Sequence, residues 1–293
     1  MERSVAAKHG HGHVANPRVS HPIAAGNDLS SSGYVTRVIL VFGRSQPCGG
    51  GTGMPIFKRD DVELYYEEHG EGFPVLLIAP GGMRSAVPFW ERTPWNPIDH
   101  LSPRYRVIAM DQRNAGRSVA PIRATDSWDA YTADQLALVD YLGVDRFHVA
   151  GMCIGGPYIM GLIQAAPQRV ASAVVFQTIG LDNNRQAFYE MFDNWAHDLK
   201  PRRPEVSEEA WESFKQAMYD GDFLFNVSRE FVSRCQTPLL VLLGNDLHHP
   251  QATSRELAAL APNATLIEQW KEPEHQPAAK QAVERFLAAH TPR

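Results

Sequence analysis

Three cysteines in 293 residues, Cys48, Cys153 and Cys235, are too few and too scattered for a disulfide framework, and no two have zinc-ligand spacing. No apolar run approaches the ~18 residues that a membrane-spanning helix needs. Excess positive charge is also missing. Against 33 acidic residues stand 28 basic ones, a net charge of −5, which gives no footprint for nucleic acid or for an anionic membrane surface. No internal repeat is visible, and no phosphate-binding glycine loop follows the first strand, so a nucleotide cofactor has no support. These absences leave a soluble, cytoplasmic protein without metal or cofactor. Its 44% hydrophobic content suits a real core.

Composition shifts near Met54. Residues 1–53 are rich in Gly, Ser, His and Pro, with one short apolar run, Val38 to Phe42. That run is too short and too far from the start for a signal peptide. His9, His11, His13 and His21 on a flexible strand make a poor preorganised metal site, and disorder is the expectation for this leader. Gly49-Gly50-Gly51-Thr52-Gly53 is what a purine-rich ribosome-binding leader would encode if read through, which makes Met54 an alternative start. The working domain is expected over residues 54–293.

After Met54 short β-rich runs alternate with helical patterns, as in a mostly parallel sheet with crossover helices. Strands are expected at Val62–Tyr66, Val75–Ala79, Tyr105–Met110, Phe147–Met152, Ala171–Gln177, Leu239–Leu243 and Thr265–Trp270. Helices are expected from Thr132 to Leu142 and from Ile154 to about Ala166. Over about residues 181–237 the alternation lapses into helical, aromatic-rich sequence, the size of a small helical cap inserted into an α/β domain.

The most informative stretch is Gly151-Met152-Cys153-Ile154-Gly155-Gly156, which joins a strand directly to a helix. Glycines two before and two after the central residue permit a sharp turn. That turn puts the Cys153 side chain over a helix N-terminus, whose partial positive charge favours a thiolate. The pattern resembles the nucleophile elbow of the α/β-hydrolase superfamily, usually Gly-x-Ser-x-Gly, with Cys in place of Ser. Cysteine here is similar to the dienelactone-hydrolase and polyester-synthase branches, which use a Cys-Asp-His triad.

The resemblance implies an acid and then a histidine later in the chain. Leu239-Val-Leu-Leu-Gly244-Asn245-Asp246 is a strand ending on an aspartate, with Pro250 four residues on, as in the family's acid loop. Glu274-His275 follows the last strand and precedes a final amphipathic helix, which makes His275 the expected base, although the family usually has Gly-His there. His248 and His249 lie on the acid loop itself and are set aside, and His290 reads as surface. The resemblance further implies an oxyanion hole from the backbone N–H groups of Ile154 and Gly82, the latter in Pro80-Gly81-Gly82-Met83. Asp111-Gln-Arg113-Asn-Ala-Gly116-Arg-Ser118 is similar to a scaffold loop of the capped esterase and epoxide-hydrolase branches.

The expected fold is thus α/β, an α/β-hydrolase with a mostly parallel sheet flanked by helices and a small helical cap. The expected function is hydrolysis of a carboxylic ester, thioester or lactone through a thioester on Cys153, with His275 as base and Asp246 holding it. An acyltransferase using the same triad is the alternative, and a non-catalytic small-ligand-binding homologue is a third. Met83, Met152, Trp195 and Trp211 are expected to contact an apolar acyl substrate. A homodimer is left open.

Overall fold

The computed structural model describes residues 55–293. The expectations placed on the leader, including its histidines, Cys48 and the alternative start at Met54, lie outside the described residues. Among the described residues eight strands form one sheet: β1 (Ile56–Arg59), β2 (Val62–His69), β3 (Phe73–Ile78), β4 (Tyr105–Met110), β5 (Phe147–Met152), β6 (Val170–Phe176), β7 (Leu239–Leu242) and β8 (Ala264–Ile267). Their order is β1-β2-β4-β3-β5-β6-β7-β8. β1 pairs antiparallel with β2, and β2 with β4; the other pairs are parallel. Parallel strands covered on both faces are mostly apolar, and every residue of β5, β6 and β7 is buried, with His148 and Ser172 bonded to each other as the polar exceptions.

Among the described residues eight α-helices connect and cover the strands: α1 (Pro97–Leu101), α2 (Trp128–Tyr141), α3 (Gly155–Ala165), α4 (Arg185–Leu199), α5 (Glu208–Tyr219), α6 (Arg229–Arg234), α7 (Gln251–Leu260) and α8 (Gln276–His290). α3 is buried on nearly every side, which explains its unbroken apolar sequence. α4, α5 and α6 lie between β6 and β7, the position expected for the cap. Ser207 begins α5 by accepting a hydrogen bond from Ala210 N–H at 3.2 Å, and Ser228 begins α6 by accepting one from Phe231 N–H at 3.1 Å.

The Asp111–Ser118 loop is a scaffold. Buried Asp111 accepts from the N–H groups of Val87 at 2.7 Å and Arg117 at 2.8 Å. Arg113, also buried, pairs with Asp134 at 2.8 Å and Asp126 at 3.2 Å. Asn114 has φ 56°, a left-handed conformation that asparagine tolerates where the resembled pattern has glycine.

Candidate active site

The site lies at the carboxyl ends of the parallel strands, where open α/β sheets hold their ligands. β5 leads straight into Cys153, whose φ is 63°. A non-glycine residue held there costs on the order of 1–3 kcal/mol and persists only when its surroundings fix it. Here they do. Cys153 N–H donates to Phe176 C=O, and the Cys153 carbonyl accepts from the N–H groups of Gly156 and Ile179, each at 3.1 Å. The turn is so tight that a Cβ on Gly151 would lie 3.0 Å from Gly155 Cα, so a side chain there would crowd the helix start. The thiol therefore stands where α3 begins.

β7 leads into the loop that carries Asp246. Asp246 and His249 close a turn with reciprocal backbone bonds, Asp246 N–H to His249 C=O at 3.2 Å and His249 N–H to Asp246 C=O at 3.1 Å. Within that turn His249 Nδ1–H donates to both carboxylate oxygens of Asp246, at 2.7 and 2.8 Å. The N–H groups of His248 and His249 add bonds to Oδ1 at 3.0 and 3.1 Å. Gly244 makes the turn possible, since a Cβ there would lie 2.4 Å from the His249 carbonyl oxygen and 2.7 Å from its Cβ. With Nδ1–H committed to Asp246, the imidazole lone pair is on Nε2. Nε2 is buried and has no hydrogen-bond partner among the described residues.

The Cys153 thiol and the His249 imidazole perturb one another. Burial pushes the Cys153 thiol up, but the nearby His249 charge, together with the N–H groups of Gly81 and Gly82, brings it below its ordinary 9.0. Burial depresses His249, yet the Cys153 thiolate and the Asp246 carboxylate raise it above its ordinary 6.5. Burial raises Asp246, and its bonds from His249 lower it on balance. All three directions favour a thiolate–imidazolium pair braced by a carboxylate. A cavity of about 460 Å³ opens on this group, bounded by Gly81, Gly82, Cys153, Met191, Leu247 and His249. Arg84, Glu190 and Asn194 are at its polar margin.

The structure brings together Cys153, Asp246 and Gly82 of the residues expected from sequence, and it does not bring His275. Among the described residues the His275 ring has no hydrogen-bond partner, and it does not line the cavity; its backbone merely turns into α8. From the loop between β8 and α8 it is Trp270 and Lys271 that reach the acid loop. Trp270 Nε1–H donates to Leu243 C=O at 2.9 Å, and Lys271 Nζ bonds to Asn245 Oδ1. His249, set aside in the sequence, is the histidine that pairs with Asp246 and lines the thiol cavity. The backbone N–H of Ile154 has no backbone acceptor among the described residues, while those of Gly81 and Gly82 face the Cys153 sulfur.

The expected substrate contacts also need correction. Trp195 and Trp211 are buried inside the cap, their ring centroids 5.8 Å apart, with Trp195 packed on Phe192 at 5.3 Å and Phe214 at 5.9 Å. Trp195 Nε1–H donates to Asn114 C=O at 3.2 Å. Met83 and Met152 are buried as well, and none of the four lines the thiol cavity. The apolar groups that do so are Met191, Leu247, Ile179 and Ala187.

The family model described as the alpha/beta hydrolase fold matches residues 74–237, more than half of the chain. The chain belongs to the α/β-hydrolase fold family. Among curated relatives, it is 38% identical over 125 residues to RutD of Azorhizobium caulinodans, whose name proposes it as a carbamate hydrolase; the match spans 42% of this chain and 43% of that protein. To RutD of Caulobacter vibrioides it is 28% identical over 207 residues, 69% of each chain. The chain thus spans about half the length of several curated relatives it matches. Among solved structures, the enol-lactonase of Burkholderia xenovorans LB400 is similar with a TM-score of 0.60 at 22% identity, over 80% of this chain and all of that one, a likeness of fold. Among the described residues no helix is long and apolar enough to cross a membrane.

Proposed function

We propose that this α/β-hydrolase cleaves a carboxylic ester, thioester or lactone through a thioester on Cys153, with His249 as base and acid and Asp246 orienting it. The observation that carries this reading is that the Asp246-bound His249 imidazole and the Cys153 thiol line one cavity, beside the backbone of Gly81 and Gly82.

The thiolate attacks the acyl carbon, and the carbonyl oxygen gathers negative charge facing the N–H groups of Gly82 and Ile154. One such donor typically contributes ~3 kcal/mol of transition-state stabilisation. The tetrahedral intermediate collapses as its C–O or C–S bond breaks, and His249 Nε2–H gives its proton to the departing alkoxide or thiolate. Water then enters, His249 takes one of its protons, and the hydroxide adds to the thioester. The second collapse releases the carboxylic acid and restores the thiolate. Asp246 stays ionised throughout, holding the proton on Nδ1 and stabilising the imidazolium. The apolar walls formed by Met191, Leu247 and Ile179 suit an apolar acyl group.

The test is to trap the intermediate. The protein is mixed with p-nitrophenyl butyrate, quenched in acid within the first turnover and digested for mass spectrometry. A butyryl group on the Cys153 peptide, absent from Cys153→Ala together with the turnover, is the expected result. Turnover that survives in Cys153→Ala, or an acyl group on another residue, overturns the assignment.

A further inference from the structure

A second cavity, of about 510 Å³, lies between the cap and the scaffold loop, and the thiol cavity meets it only through a shared Arg84. Its volume is in the range of small-molecule sites. The walls are partly exposed and apolar, formed by Pro88, Phe89, Val119 and Leu199. Its polar groups are almost all donors. Arg202 is exposed and pairs with no carboxylate among the described residues. Arg203 is half-buried and also has no carboxylate partner; it donates only to the neutral Asn114 Oδ1 at 3.3 Å and Ala120 C=O at 3.2 Å. Its Nε–H is buried without any partner.

Asn114 points to the same conclusion. Its side chain is more than nine-tenths buried, and Oδ1 is held by Ala120 N–H at 3.0 Å and by Arg203, so the amide orientation is set by two donors. Nδ2 is left buried with no acceptor. A buried donor without a partner costs about 1–3 kcal/mol, and two in one cavity wall call for an explanation. The one carboxylate lining the cavity, Asp198, is engaged by Arg84.

We propose that this cavity is a binding site for a carboxylate carrying an apolar chain or ring. The anion sits on Arg202 and Arg203, and its apolar body lies along Phe89, Val119 and Leu199. The long bonds from Arg203 to Asn114 and Ala120 let its guanidinium turn towards the ligand, which uncovers Nε–H and Asn114 Nδ2–H as further donors. The site does not depend on the assignment of the base or the nucleophile, because it is read by binding.

Sodium octanoate is the probe, titrated calorimetrically into the full chain, with octanamide as its uncharged counterpart. One equivalent of octanoate is expected to bind, at least tenfold more weakly to Arg202→Gln and to Arg203→Gln, while octanamide gives no heat. Arg203→Lys, which keeps the charge, is expected to retain binding and guards against a folding defect in the glutamine variant. Octanamide binding as well as octanoate, or octanoate binding all the variants equally, overturns the proposal. Loss of octanoate binding when Cys153 alone is alkylated with iodoacetamide overturns it too, since the probe would then occupy the thiol cavity. The ligand's source is read in the same samples from ester hydrolysis. Octanoate that raises KM at constant kcat indicates a substrate reaching across both cavities, and octanoate that leaves KM unchanged indicates a separate ligand.

Discussion

A thiol under this much cover would hold its proton more tightly than one in water, and at Cys153 the neighbours reverse that tendency. The consequence is a sharp prediction for His249. Once the imidazole is removed, burial is opposed only by the helix start and the glycine N–H groups, so the thiol moves up. Iodoacetamide labelling of Cys153 followed against pH should have its midpoint below 9.0 in the wild type, and a higher midpoint in His249→Ala. Ester hydrolysis in the same variant should fall by about 10²–10⁴-fold, while His275→Ala stays within about twofold of wild type. Equal losses in the two variants would return His275 to the mechanism. Cys153 and Asp246 were legible in the sequence because each belongs to a local pattern, a glycine-framed turn and a strand ending on an acid. His249 was not, because chain order directs attention to the loop after the last strand. Pairing at three residues' separation depends on the turn itself, and the available signals were Gly244 before it and Pro250 after it. Trp195 and Trp211 were misread because helical spacing marks an inward face without saying whether that face meets a substrate or another helix.

At the scale of elements, the buried strands were easiest to read. Tyr105–Met110 and Phe147–Met152 match their expected bounds, because mostly apolar runs between turn residues leave little freedom. β1 was missed. It has four residues, two of them Lys58 and Arg59, so an edge strand next to the leader carries almost no apolar signal. α2 begins at Trp128, earlier than the apolar spacing from Thr132 suggests, because the Ser127 side chain accepts from Asp129 N–H at 3.3 Å. The turn after β7 is the element whose shape matters most, and Gly244 is its weak point. Gly244→Ala forces a methyl group against the backbone of His249, and overpacking of this kind costs about 1–3 kcal/mol. Because the strain falls on the His249 backbone, hydrolysis should drop by more than about tenfold in a variant whose circular dichroism is unchanged. Wild-type turnover by folded Gly244→Ala would show that the turn tolerates the displacement.

For the whole molecule, the C-terminus is tied to the sheet through a buried histidine. His148 on β5 shares Nδ1 with Ser172 Oγ at 2.8 Å and Nε2 with Thr291 Oγ1 at 2.9 Å, and its ring packs edge-on against Phe73. Burial, with the charges of His290 and Arg146, pushes it down to about 4 from an ordinary 6.5. The folded state therefore binds this proton less readily than the unfolded chain. The associated stability is complete above pH 6.5 and is lost as the pH falls towards 4. By pH 5 the loss from this one group is about 2 kcal/mol. Urea unfolding at pH 7.5 and pH 5 should show a smaller drop in midpoint for His148→Gln than for wild type, and equal drops would assign the acid sensitivity elsewhere.

The loop that carries both Asp246 and His249 has a consequence for inheritance. Where acid and base come from opposite ends of a fold, each must be kept in register by everything between them. Here one graft of a few residues behind a strand would transplant the pair intact, orientation included. Under the proposed assignment the segment between β8 and α8 is released from supplying the proton carrier, and its sequence is free to drift so long as Trp270 still covers the turn.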